Sequence, residues 1–366
     1  MRGKDQKQGT LLCIVSPESR VPSDHPLRGI KVLADEALRR LSELFDEMYA
    51  REGRPSIPPE RLLKATLLMA LYTVRSERQF CEQLDYNLLF RWFLDMDVIE
   101  PAFDHSVFAK NRARLIAHEA AGAFFREVVA LARERKLLSA EHFTVDGTLI
   151  EAWASLKSFK RKDGQGRPPE DDDPGNPAVD FKGEQRSNET HESATDPQAR
   201  LYKKSTGAKA VLCHMGHALM ENRHGLLVDL RVTEANGRAE RETALALLDE
   251  NLPGAKRLTV GGDKGYDTRE FVRECRERNV TPHVSSNEKR CGGSALDDRT
   301  TRHAGYGVSQ RLRKRVKEIF GWLKTVGGLR KTRYVGREKT QLWGYLTGAA
   351  YNLLRISRLQ AAGAEP

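Results

Sequence analysis

Three acids stand where an acid needs explaining. Asp146 closes the apolar run Phe143-Thr144-Val145, Asp263 follows Leu258-Thr259-Val260-Gly261-Gly262, and Glu318 lies in a basic amphipathic segment. A carboxylate where a strand would otherwise continue into Val or Ile gives up sheet packing. Carboxylates drawn from separate elements can hold divalent cations, which activate water or a hydroxyl for attack on a phosphodiester. In that order along the chain, the three acids suit metal-dependent cleavage of nucleic acid.

Each acid also has an ordinary explanation. A turn aspartate at a strand end accounts for Asp146 taken alone. Lys314 and Glu318 form an i,i+4 pair worth about 0.2–0.5 kcal/mol, which needs no ligand. Asp267 reads as the cap of the helix opening at Thr268-Arg269-Glu270. What favours chemistry is the setting. Gly147 leaves room beside Asp146, and glycines at 261, 262 and 265 relax the backbone around Asp263.

The elements that must position these acids fall into two halves. From Arg28 to about Leu137 the apolar residues recur at three- and four-residue steps, as in Ile30, Leu33, Ala37, Leu38, Leu41 and again in Leu62, Leu63, Leu67, Leu68, Leu71, so this half is all helix. Ser56 with Pro58-Pro59 and Ser76 mark helix starts, and further helices are expected from Asp104 and from about Ala117 to Arg135. Arg75, Arg78, Arg91, Lys110, Arg112 and Arg114 lie among them, and short helices carrying such residues can form a DNA reader or merely a solvated surface.

Beyond residue 138 strands and helices alternate. Strands are expected at His142 to Ile150, Ala210 to Glu221, Gly225 to Thr233, Arg257 to Gly262 and Val280 to Ser285. Helices are expected at Ala239 to Leu252, Thr268 to Arg278 and Gln310 to Val326. The string β, β, β, α, β, α, β, α is the ribonuclease H arrangement, a mixed sheet flanked by helices. Ligands in such sheets gather beyond strand ends, where Asp263 lies. The resulting map has a flexible tail at 1–27, a helical DNA-binding or accessory domain at 28–138 and a catalytic domain at 139–360. A polar stretch at 157–204, including Glu170-Asp171-Asp172-Asp173, reads as a flexible excursion.

On the last helix Leu312, Val316, Ile319, Phe320, Leu323 and Val326 form the buried stripe, which leaves Glu318 beside Arg311, Lys314, Gly321 and Trp322. Net charge is +10, and residues 299–339 carry thirteen Lys or Arg against two acids, so the basicity is one segment. Such a segment suits a polyanion. No apolar stretch reaches the roughly 20 residues that span a bilayer. Five scattered cysteines suit a reducing compartment, and the expected location is the cytoplasm, at the nucleoid. Cys213-His214-Met215-Gly216-His217 resembles half a zinc site, but on a strand His214 faces away from the other two ligands. Gly327-Gly328-Leu329-Arg330-Lys331-Thr332 lacks the spacing of a phosphate-binding loop.

Four segments carry a family resemblance: Thr144-Val145-Asp146-Gly147-Thr148-Leu149-Ile150-Glu151-Ala152-Trp153-Ala154-Ser155, Gly216-His217-Ala218-Leu219-Met220-Glu221-Asn222-Arg223, Gly262-Asp263-Lys264-Gly265-Tyr266-Asp267-Thr268, and Glu318-Ile319-Phe320-Gly321-Trp322-Leu323-Lys324. Over about Pro26 to Leu359 the chain resembles bacterial insertion-sequence transposases of the DDE class, in the insertion-sequence-five group. The resemblance implies a metal-binding and catalytic triad at Asp146, Asp263 and Glu318 holding two divalent ions, Mg²⁺ with Mn²⁺ as a substitute, with Asp146 bridging them. It implies DNA contacts from Arg311, Lys314, Lys324 and Trp322. In the family's Tyr, Arg, Glu, Lys arrangement, Arg311 and Lys314 hold the earlier positions and the aromatic has no match in register. The implied activity is cleavage and strand transfer at insertion-sequence ends. The implied partners are double-stranded DNA, its terminal inverted repeats and target DNA, with a homodimer or larger synaptic assembly. The alternative is a catalytically inactive DNA-binding protein or repressor derived from such an enzyme.

Overall fold

The computed structural model describes residues 16–50, 52, 56–162, 180–181, 184–204, 207–252 and 257–364. The acid run at 170–173 and most of the expected tail lie outside the described residues.

Among the described residues eight helices come first: α1 (Pro17–Arg20), α2 (Leu27–Arg39), α3 (Ser42–Glu47), α4 (Pro59–Leu71), α5 (Glu77–Tyr86), α6 (Leu88–Phe93), α7 (Ser106–Ala117) and α8 (Ala120–Glu134). Ser76 caps α5 by accepting from Gln79 N at 3.0 Å. The start of α4 rests on proline alone, with no side-chain cap. The apolar stripes of these helices close on one another through Leu33, Leu63, Leu67, Phe80, Phe93, Phe124 and Val128, all buried.

The rest of the chain builds a sheet. Its strands are β1 (His142–Glu151), β2 (Phe159–Arg161), β3 (Asp180–Phe181), β4 (Glu184–Gln185), β5 (His191–Ser193), β6 (Arg200–Tyr202), β7 (Val211–Glu221), β8 (Leu227–Glu234), β9 (Leu258–Gly262) and β10 (Val280–Val284). The helices are α9 (Ala239–Asn251), α10 (Arg269–Glu277), α11 (Asp298–Thr301), α12 (Ala304–Leu312), α13 (Val316–Thr325) and α14 (Arg337–Ala364). β1, β7 and β8 form an antiparallel meander, and β9 and β10 run parallel to β1 on its other side. The order β10-β9-β1-β7-β8 is that of ribonuclease H, as the element string implies.

Alternation along β1 divides the two faces of the sheet. Phe143 and Val145 pack with Ala244 and Leu247 of α9 and with Phe271 of α10. Ile150 turns the other way, into a cluster with Val316, Ile319 and Leu323 of α13, Leu346, Leu353 and Ile356 of α14, and the N-terminal helices. The long helix α14 packs on β8, α4 and α8, so one apolar cluster runs from the helical half into the sheet.

Three local expectations change. Thr268, not Asp267, caps α10 by accepting from Phe271 N at 3.2 Å. Asp267 is buried and accepts instead from Asn287 N, Ser294 Oγ and Ala295 N at 2.7–2.9 Å, which ties the following loop to the sheet. Within the stretch at 157–204, the pair β2–β5 forms, and β6 joins the sheet by pairing with the start of β7 beyond the end of β8. Asp196, fully buried, binds His214 Nε2 at 3.1 Å and accepts from Gly336 N at 3.1 Å. The helix expected over Gln310 to Val326 is broken, because α12 ends at Leu312, residues 313–315 form a 3-10 turn, and α13 begins at Val316.

Candidate active site

β1 pairs with β7 along nearly its whole length, but with β9 only through His142, Phe143 and Thr144. Between Thr144 and Glu151, where Lys331 bridges to the strand, that edge of β1 has no strand partner among the described residues. Asp146 is the next residue on the Thr144 face, and Asp263 follows the last residue of β9. The fork between the two strands therefore carries both acids, and they line one cavity of about 400 Å³. Asp146 Oδ1 accepts from Gly147 N at 2.9 Å, and Asp263 Oδ1 accepts from Gly265 N at 2.7 Å.

The cavity is electrostatically divided. Burial, and then the charge of Asp263, push the Asp146 carboxyl up to about 6. Lys204, Lys264, Arg313 and Lys317 line the same space, and the charges of Lys204 and Lys317 oppose that rise. Two carboxylates and four cations lining one cavity fit a divalent cation together with a phosphodiester. The donors are carboxylate oxygens, the hard ligands preferred by Mg²⁺ and Mn²⁺. Among the described residues no three acidic, histidine or cysteine side chains already close around one point.

Glu318 is not brought to this cavity. It is exposed on α13, and its charge is felt by the phenol of Tyr351 in α14. Trp322, one turn on, stacks edge-to-face on the same Tyr351 with ring centroids 5.7 Å apart. The side of α13 that meets the cavity carries Lys317, preceded in the 3-10 turn by Arg313. Successive helical residues lie about 100° apart, so the neighbours Lys317 and Glu318 cannot share that side.

The break before α13 sets this orientation. Gln310 donates to His283 O at 2.7 Å and accepts from Ser285 Oγ at 2.6 Å and Arg313 Nε at 2.8 Å. Ser309 Oγ lies 2.7 Å from His283 Nδ1 and 2.9 Å from His142 Nε2. These bonds pin the end of α12 to β10 and β1 and start α13 from a fixed point. A Cβ at Gly261 would lie 3.2 Å from Arg313 Cβ, so the turn also lies close on β9.

The other expected DNA contacts separate. Arg311 and Lys314 are exposed and do not line the cavity. Lys324, half-buried, has its ammonium held below the usual value by burial, with Lys204 and Arg330 adding to the effect and Glu151 opposing it. In the helical half, Arg91 is buried and donates to the carbonyls of Asp97 and Glu100 at 2.6 and 2.7 Å, so it braces a loop. Arg112 pairs with Glu77 and lies 4.6 Å over the Tyr334 ring, and Arg114 lies 4.2 Å over Tyr49. Arg75, Arg78 and Lys110 are exposed.

One acid escaped the sequence reading. Glu240, in the first turn of α9, has its carboxyl raised by burial and then by the charges of Asp263 and Asp146. Its signal was available, because Arg238-Ala239-Glu240-Arg241 opens a helix straight after a strand, but an acid in a first turn is ordinary there.

The family described as a transposase domain (DUF772) matches residues 15–114, and the family described as a transposase DDE domain matches residues 179–353. The second match includes Glu240, Asp263 and Glu318 and begins after Asp146. No curated protein matches the chain. Among solved structures, a piggyBac transposase synaptic complex with hairpin DNA is 12% identical, with 92% of this chain and 76% of that chain covered and a TM-score of 0.44. A pre-cleavage Mos1 transpososome is 13% identical, with 94% and 99% covered and a TM-score of 0.20. The two family matches take in about three quarters of the chain, and it belongs to the DDE transposases of insertion-sequence type.

Proposed function

We propose that this chain, an insertion-sequence-five group transposase, binds the terminal repeats of its element and cuts and joins DNA at the cavity holding Asp146 and Asp263. The observation that carries this reading is the convergence of those two acids on one cavity with Lys204, Lys264, Arg313 and Lys317, in a chain with a transposase DDE domain. Asp146 and Asp263 would hold divalent cations, two Mg²⁺ or Mn²⁺ ions in the full site. When bound, the ions supply Lewis acidity for the attacking and departing oxygens. Arg313 and Lys317 orient the phosphate, and Lys204 and Lys264 hold the backbone on either side. The Asp146 carboxylate must be ionised to serve, and the cationic rim favours that form. Two ends are held together in a dimer or larger assembly.

A second reading is favoured by one observation. α13 offers Lys317 to the cavity where a third acid is needed, which suits a protein that grips element ends without cutting them. The test is cleavage of a labelled duplex carrying the DNA that flanks this gene, with Mg²⁺ or Mn²⁺ and with D146N alongside. Metal-dependent cuts at the element ends, absent from D146N, support the transposase reading. Salt-sensitive binding without cuts supports the second.

A further inference from the structure

Several arginines of the sheet domain are paired: Arg231 with Glu250, Arg276 with Asp297, Arg278 with Asp249 and Arg302 with Asp298, at 2.5–3.0 Å. Lys317, Lys324, Arg330 and Lys331 differ. Among the described residues no hydrogen bond or ion pair engages their side chains. Unpaired cations held near one another repel, and a polyanion laid across them relieves that repulsion.

These four cations form a strip leading out of the cavity. Lys317 lines the cavity, and Lys324 lies about two turns further along the same face of α13, about 10 Å away along the axis. Gly321 lies between them on that face, and a Cβ there would meet nothing within 4 Å, so a strand can lie close against the helix. Beyond Lys324 comes Arg330, one of the cations that depress its ammonium, with Glu151 the acid opposing them. Residues 330–332 then run beside the end of β1, where Glu151 N donates to Arg330 O at 3.0 Å and Thr332 N to Glu151 O at 2.8 Å.

The strip ends on an aromatic ring. Lys331 Nζ lies 5.9 Å from the ring centroid of Trp153, just past β1. Trp153 is 56% exposed although Ala152 and Ala154 on either side of it are buried. Of the other three tryptophans, Trp92 and Trp343 are buried and Trp322 packs on Tyr351. A lone exposed aromatic is ordinary. An indole left in water at the end of a run of unpaired cations is what a nucleic-acid strand covers, with its phosphates on the cations and a base on the ring.

We propose that the strip of Lys317, Lys324, Arg330 and Lys331 carries one DNA strand away from the cavity, and that Trp153 stacks on an unpaired base of that strand. This rests on the reading of the Asp146–Asp263 cavity given above, since the cavity sets where the strand begins. It gives the bare face at Gly321 a purpose, and it separates Lys324 from Arg311 and Lys314, which lie off this path.

The test is binding of the full-length protein, in EDTA so that nothing is cut, to a duplex that is blunt or carries a short single-stranded thymine tail. Affinity is followed by anisotropy of labelled DNA and stacking by tryptophan emission with unlabelled DNA, for the wild type, W153A, W153F, K324A/R330A and, as a control, R302A. Thermal transitions check folding. The wild type should prefer the tailed duplex by about fivefold or more. W153A should lose that preference, and W153F should keep it while losing the tail-dependent quenching of emission. K324A/R330A should lower the slope of log affinity against log salt on the tailed duplex by about 0.7 for each cation removed, and R302A should change neither quantity. Should the double variant lack a wild-type transition, K331A takes its place with a fall of about 0.7. Equal wild-type affinity for the two duplexes, a preference kept in W153A, quenching kept in W153F or an unchanged salt slope in the cation variant overturns the proposal, and the cavity reading stands as long as cleavage depends on Asp146. Cuts unchanged in D146N overturn the cavity reading, and with it a strip that begins there.

Discussion

The strand fork and the helix beside it were both expected to supply acids, and they behave differently. Asp146 stands on β1 and Asp263 directly follows β9, strands held in register by neighbours, with Asp146 opposite Ala218 of β7 and Gly261, two residues before Asp263, opposite Thr144. A strand has only two faces, and apolar alternation chooses between them. Glu318 stands on a short helix whose rotation is set by packing. Val316, Ile319, Phe320 and Leu323 are buried as the wheel requires, but that leaves a wide arc on which one residue step separates facing the cavity from facing Tyr351. An acid in or just after a strand is located by local pattern, whereas an acid on a helix is located by what surrounds the helix.

The largest test of this contrast is D263N, which should abolish cleavage, a loss of several orders of magnitude, while leaving duplex binding nearly intact. Full cleavage by the variant would remove the strand fork from the chemistry. Next is stability. Because burial and Asp263 raise the Asp146 carboxyl to about 6 from a usual 3.8, the folded state holds this proton more tightly than the unfolded chain. Stability therefore falls as pH rises from about 4 to 6, and the penalty is fully present above that. D146N should consequently be more stable than wild type by about 2–3 kcal/mol at pH 8 in EDTA and equal to it near pH 4, as measured by denaturant unfolding. A variant less stable than wild type at pH 8 would show that the charge is satisfied in the metal-free protein.

The comparison sharpens on α13. K317E puts a carboxylate on the side facing the fork and should tighten Mn²⁺ binding by about tenfold, on the order of 1.4 kcal/mol, whereas the neighbouring E318Q should change little. The opposite ranking would mean that the helix turns in solution. The smallest effect is on salt dependence. R313A removes one rim cation, and if Arg313 meets a phosphate, the slope of log affinity against log salt should fall by about 0.9. R311A should leave it unchanged, since Arg311 lies off the cavity.

Much of the sheet was legible from pattern. The five principal strands and helices α9 and α10 lie within a residue or two of the expected bounds, because alternation and capping are local signals. Three features were not legible for lack of such a signal. β6 is three residues long and pairs only because β7 outlasts β8. α14, the longest helix, lay beyond the last expected element although Leu342, Leu346, Ala349, Leu353 and Ile356 carry its stripe. Asp196 reads as one more polar residue in a polar stretch, and its burial depends on His214, eighteen positions away.

The sequence by itself determined the order of strands and helices, the positions of Asp146 within β1 and Asp263 just after β9, and the concentration of cations near the C-terminus, since each follows from pattern, propensity or composition. Only the tertiary structure decided which face of α13 meets the fork, that the Glu240 side chain packs against Gly147, and that Arg91 and Asp196 are structural. Those outcomes depend on hydrogen bonds such as Gln310 to His283 O and on contacts between residues far apart in the chain, where a turn of about 100° per residue exchanges Glu318 for Lys317.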